Sequence, residues 1–169
     1  MAIKDGLTVL VDNVAKMAHG IEVLASKRTM VGVPADKASR KDGPINNAAL
    51  AYIHDKGAPE ANIPARPFME PGIEAVKNEI RDGIGKAGEF ALDGRPDAVE
   101  RQYHRVGTVA RDAIKAKITD GPFTPLKPST IAARKAKRKS RKNTDIKPLI
   151  DTGALRNSIN YVVRDDREK

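Results

Sequence analysis

Apolar residues recur at helical spacing from the start of the chain, with Ile3, Leu7, Leu10, Val11, Val14, Met17 and Ala18 in one run. Gly20 interrupts it, and Ile21, Leu24 and Ala25 continue the pattern for a turn or two. The period then changes. Thr29, Val31 and Val33 alternate with Arg28, Met30 and Gly32, which predicts a strand closed by Pro34. Residues 35–43 contain almost no large apolar side chain and read as a mobile loop. Pro44 follows Asp42 and Gly43 as a helix start, with Ala48, Ala49, Tyr52 and Ile53 as the apolar stripe and Gly57 as the stop.

A proline-dense loop comes next, and Ile63 and Arg66, each preceding a proline, are pushed toward extended backbone. Pro71 opens a helix whose Ile73, Val76, Ile80, Ile84 and Ala87 share a face. Gly83, Gly85 and Gly88 each weaken that helix by roughly 1 kcal/mol relative to alanine, so its C-terminal half needs packing or a closely approaching partner helix. Residues 92–96 break the pattern. Val99, Tyr103, Val106, Ala110, Ala113 and Ile118 then mark a second long helix, and the short connection predicts an antiparallel hairpin. Tyr161 and Val163 alternate with Val162 and Arg164 as a closing strand. The expected fold is α+β: a small mixed or antiparallel sheet packed with two long antiparallel helices and extended irregular loops. One domain over residues 1–169 is expected, with the loop 35–43 and a basic excursion at 134–147.

Composition narrows the chemistry. The chain has 169 residues, no Cys, no Trp, three Phe and three Tyr, so its core must be small and mainly aliphatic. Without cysteine there is no disulfide framework, no thiolate metal site and no cysteine nucleophile. No apolar run approaches membrane-spanning length and the first residues lack a signal-peptide core, so a soluble, non-exported protein without membrane contact is expected. His19, His54 and His104 fall in no metal or catalytic spacing. Asp145, Asp151, Asp165 and Asp166 are the nearest approach to a nuclease carboxylate cluster, and they match no motif. The glycine-rich stretch 82–88 lies mid-helix by pattern rather than between strand and helix, unlike a phosphate loop. Neither an enzyme nor a cofactor is expected.

The net charge of +9 suggests a polyanion or an acidic protein as neighbour. It concentrates in 134–142, where Arg134, Lys135, Lys137, Arg138, Lys139, Arg141 and Lys142 make seven basic residues of nine. Ser129 or Thr130 is placed to cap a helix leading into this run. Phosphate contact and a solvated or protein-facing loop are both open readings; no aromatics interleave for base stacking.

Three further stretches point to assembly. In 63–71, prolines stiffen the chain, and Arg66 and Phe68 alternate as a charged arm and an apolar anchor. Ile63, Arg66, Phe68 and Met69 are therefore candidate subunit contacts, against the alternative that Phe68 pins the loop to its own core. Phe123 and Leu126 pin the irregular link 122–130. In 147–163, Asp151 or Thr152 caps a short helix, and Leu149, Ile150, Leu155 and Ile159 bury around it, a clasp that ties the last strand to the sheet. Leu155 and Tyr161 complete the candidate contacts.

The blocks NNAALAYIHDKGAPEANIPARPFMEPGIE, PLKPSTIAARK and KPLIDTGALRNSINY, in that order, resemble tailed-bacteriophage virion-morphogenesis proteins, the tail-completion, neck or head–tail joining proteins of Mu-like and lambdoid-type phages. The resemblance runs from about Met30 to Val163. Two departures stand out: Asp55-Lys56-Gly57 replaces the usual glutamate-glycine, and the link between the last two blocks is unusually basic. The resemblance implies a virion protein assembled in the host cytoplasm as a homo-oligomeric ring, commonly a hexamer. Its implied neighbours are head–tail connector or adaptor proteins and the tail terminator or tail tube, with packaged DNA within reach of the basic stretch. An adjacent connector or terminator component, or a small basic nucleic-acid-binding protein, is the alternative.

Overall fold

The computed structural model describes residues 13–39, 44–137 and 146–167. Helix α1 (Val14–Ser26) runs unbroken through Gly20, which corrects the expected interruption. A Cβ at Gly20 would lie 2.4 Å from the Ala91 carbonyl oxygen, so this glycine is a point of close helix contact. Strand β1 (Lys27–Gly32) follows directly. The segment expected as a loop holds a short helix, α2 (Ala35–Ala38), while residues 40–43 lie outside the described residues.

Helix α3 (Asn47–Lys56) starts later than expected, because Asn46 is the cap: its side-chain oxygen accepts from the Ala49 N–H at 2.8 Å. Gly57 ends it at φ +80°, a conformation that glycine adopts without steric cost. The buried face is Asn47, Ala51 and Asp55. The predicted stripe is therefore rotated, and Tyr52 is 68% exposed. A one-turn 3₁₀ segment (Pro59–Ala61) and a bridge between Ala58 and Ile63 shape the proline loop.

The helix expected from Pro71 is two helices, α4 (Met69–Glu74) and α5 (Lys77–Leu92). α5 buries Gly83, Ala87 and Ala91 instead of Ile80 and Ile84. Small side chains win this face because α6 comes so near: a Cβ at Gly83 would sit 2.6 Å from Val106 Cγ2. Helix α6 (Pro96–Asp120) closes the hairpin after the turn at Gly94, as the sequence predicts. Helix α7 (Pro128–Lys137) opens at Pro128, ahead of the expected Ser129 or Thr130 cap, and residues 138–145 are outside the described set. Helix α8 (Ala154–Ser158) and strand β2 (Asn160–Asp165) end the chain's described part.

The architecture is α+β. β1 and β2 form a two-stranded antiparallel sheet, from Lys27 opposite Asp165 to Gly32 opposite Asn160. Two strands alone are marginal in water, so α6 must support them. The Thr29 hydroxyl donates to the Tyr103 carbonyl at 3.2 Å, and the Tyr161 ring fills the space that Gly107 leaves open. α6 serves two apolar clusters. Ile114 and Ile118 join Ala51, Phe68, Leu149, Leu155 and Ile159 in one. Val99 and Tyr103 join Val23, Ala87 and Ala91 in the other. Each fully buried aliphatic side chain contributes about 1.5–3 kcal/mol.

The glycines give a stability test. Gly85 and Gly88 would place a Cβ with nothing within 4 Å, so their replacement by alanine is expected to add up to about 1 kcal/mol each. Gly20→Ala meets backbone at Ala91 and is expected to lose about 1–3 kcal/mol. Thermal melts of the variants check both signs.

Candidate functional site

The three sequence blocks come together at one place, held by three buried or half-buried polar side chains that grip main chain. Asp55, in the last turn of α3, is 5% exposed. Its Oδ1 accepts the N–H groups of Phe68 at 2.9 Å and Met69 at 3.0 Å, and Lys56 Nζ stands 3.2 Å from Oδ2. These N–H groups open α4, where no intrahelical acceptor exists for them. Burial pushes the Asp55 carboxyl up, but the Met69 and Phe68 N–H donors and the Lys56 ammonium outweigh it and hold it below the usual range.

Arg66 lies on the same loop. Its backbone N–H donates to the His54 carbonyl at 2.8 Å. Its guanidinium donates through Nε to the Thr124 carbonyl at 2.9 Å and through Nη2 to the Pro125 carbonyl at 3.2 Å. Residues 121–127 are in neither helix nor strand, so their carbonyls lack ladder partners and take a side-chain donor instead. Burial pulls the Arg66 guanidinium below the ordinary arginine range, with the nearby Arg134 cation adding to it.

Arg134, on α7, reaches the third block. Nη1 donates to the carbonyls of Lys147 at 2.8 Å and Ile150 at 3.3 Å, Nη2 to that of Pro148 at 3.4 Å, and Nε lies 3.9 Å from Asp151 Oδ1. Arg156 adds a fourth tie, Nε donating to Thr119 Oγ1 of α6 at 3.0 Å. Gly153 takes the N-cap position of α8, and Thr152 Oγ1 accepts the Ala154 N–H at 3.3 Å.

Of the six candidate contacts, Arg66, Phe68 and Leu155 are buried within the chain itself. Arg66 is thus no projecting arm, and Phe68 pins the loop to its own core. Ile63 is half-buried in the bridge with Ala58. Tyr161 packs on α6, its ring 5.8 Å from His104 and 5.7 Å from the Arg111 guanidinium. Met69 is the one beside a surface groove, a cavity of about 310 Å³ lined by Val33, Ala51, Tyr52, Asp55 and Glu70 as well. In the basic stretch, Arg134 is committed to the clasp, Lys135 is exposed, and Lys137 is the last residue of α7. Arg138, Lys139, Arg141 and Lys142 lie outside the described residues.

Sequence reasoning passed over Asp55. The signal was available: Asn47, Ala51 and Asp55 recur every four residues, with a polar residue at each end of the stripe. Among the described residues, no group of three or more His, Cys, Asp or Glu is placed to hold a metal ion. Asp165 and Asp166 are paired with Arg167 and Arg28. No helix among the described residues is long and apolar enough to cross a membrane.

No family model matches the chain, and no solved structure matches it. A stretch of 36 residues is 39% identical to an uncharacterized protein of Methanocaldococcus jannaschii, covering 21% of this chain and 27% of that protein. The match spans about a quarter of that protein's length and leaves the family open.

Proposed function

We propose that this chain is a structural component of a tailed-phage neck, forming an oligomeric ring that completes the tail and joins it to the head–tail connector. One observation carries the reading. The three blocks that resemble tail-completion proteins are scattered over more than a hundred residues, yet Asp55, Arg66 and Arg134 fasten them into one unit around Phe68. Those side chains are engaged with main-chain N–H and C=O groups, the use expected of parts that hold a shape. Six copies is the number that the resemblance implies, with head-to-tail contacts that close by rotation. The ring would stand between connector or adaptor proteins and the tail terminator or tube.

The test is the protein's place in the particle. Purified virions of the encoding phage should contain it at a fixed ratio to the connector, and electron microscopy should locate it as a ring at the neck. A chain that is missing from virions and monomeric at every concentration overturns the reading.

The charge of +9 favours one second reading, nucleic-acid binding through 134–142. Changing Lys135, Arg138 and Lys139 to Gln would then cut affinity for DNA and flatten its salt dependence. Unchanged binding removes that reading and leaves the first intact.

A further inference from the structure

Helix α1 carries two apolar faces. One is used inside the chain, where Gly20, Val23 and Ser26 are buried and Leu24 is half-buried beside them. The other looks outward. Val14 is 70% exposed, Met17 37% and Ile21 43%, with exposed Ala18 and Ala25 beside them. Apolar side chains scattered singly over a surface need no explanation; a continuous stripe on one helix does.

The spacing of that stripe is specific. Val14, Met17, Ile21 and Leu24 alternate steps of three and four residues, and the alternation continues upstream through Leu10, Leu7 and Ile3. Such steps average 3.5 residues, the repeat that keeps a seam facing a second helix along its whole length. Val14 and Ile21 take the heptad position that favours β-branched residues in parallel pairs, while Leu10 and Leu24 take the position that favours leucine. The borders of the seam within α1 are uncharged: Asn13, Ala18 and Ala25 flank it, while Lys16, His19 and Glu22 occupy other faces. Two identical stripes can therefore meet without setting like charges against each other.

No described element of the chain covers this stripe. A Cβ on Gly20 would strike Ala91, and one on Gly94, in the turn that ends the α5–α6 hairpin, would strike Lys16. α1 thus reaches the tip of the hairpin near Lys16. The twelve residues before Asn13 carry the rest of the seam, and a helix continued through them, rising about 1.5 Å per residue, would pass beyond that tip. Neither α5 nor α6 is placed to cover it there.

We propose that this stripe is a self-association seam, in which α1 of one copy pairs in parallel with α1 of a second copy. Val14, Met17 and Ile21 form its described part, and Leu10, Leu7 and Ile3 extend it. The inference does not rest on the neck reading, since it concerns copies of this chain alone.

Sedimentation of the full chain over a concentration series should show reversible association. Met17→Glu with Ile21→Glu should raise the midpoint concentration by about a hundredfold, because like charges then face each other in the seam. Tyr52→Glu, on the exposed face of α3, should leave it unchanged. The chain has no cysteine, so Val14→Cys adds a single thiol. In a parallel pair the two thiols meet, and oxidation should give a covalent dimer. Association that persists in the folded double-glutamate variant overturns the proposal, as does a Val14→Cys chain that stays monomeric on oxidation. Should the double variant fail to fold, the cross-link decides alone.

Discussion

Phe68→Ala is expected to cost about 3–5 kcal/mol, the largest loss from any single truncation in this chain. Phe68 is fully buried, and the cluster around it draws on α3 through Ala51, on α6 through Ile114 and Ile118, and on the C-terminal clasp through Leu149, Leu155 and Ile159. A cavity at that point removes contacts from three separate parts of the chain at once, and helix packing leaves little freedom for collapse. Total stability for a domain is about 5–15 kcal/mol, so the variant should unfold at much lower urea and populate unfolded protein at room temperature. Phe123→Ala is the comparison. Phe123 packs on the rim of the same cluster and is only half-buried, so its loss should be clearly smaller. If Phe68 served a neighbouring subunit instead, its truncation would leave the isolated chain's urea midpoint in place and weaken association alone. A loss under about 1 kcal/mol would sink the assignment of Phe68 to the core.

The same residue shows how far the sequence could be read. Phe68 stood out as an anchor, but its direction was set by α3, whose rotation the pattern misjudged. Ala48, Ala49, Tyr52 and Ile53 look like a stripe only while Asp55 counts as a surface residue. Once the Asp55 carboxylate must reach two N–H groups across the loop, Ala51 turns inward and Tyr52 outward. A long-range polar contact outranks a weak four-residue periodicity there. The α5–α6 hairpin was legible because its period runs through many turns and breaks cleanly at Gly94. The inward face of α5 was not, since close approach between helices favours glycine and alanine over the larger isoleucines. Gly20 was misread for that reason too. The clasp around Leu149, Leu155 and Ile159 was legible because its cap, short helix and strand are all local. Arg66 was half legible. Extended backbone follows from the neighbouring prolines, but its burial depends on bare carbonyls at Thr124 and Pro125, nearly sixty residues away.

Asp55→Ala is expected to be nearly as damaging, and its cause can be separated by pH. The substitution leaves the Phe68 and Met69 N–H groups without their acceptor inside the fold, at about 1–3 kcal/mol for each buried donor. Asp55→Asn keeps an acceptor oxygen and should cost less, since only the added strength of a charged acceptor is lost. The acid dependence then follows with a definite sign. The folded carboxyl lies below its unfolded value of about 3.9, so the native state favours the ionised form. Its contribution is complete above about pH 5 and is lost as pH falls below about 4 through the folded value. Asp165 and Asp112 are also held low, by Arg167 and Arg111, but both pairs are surface contacts of smaller weight. Urea midpoints measured between pH 7 and pH 3 should therefore fall less steeply in Asp55→Asn than in the wild type. Parallel curves would mean that the carboxylate does not fasten α3 to the start of α4, and the clasp would then rest on Arg66 and Arg134 alone.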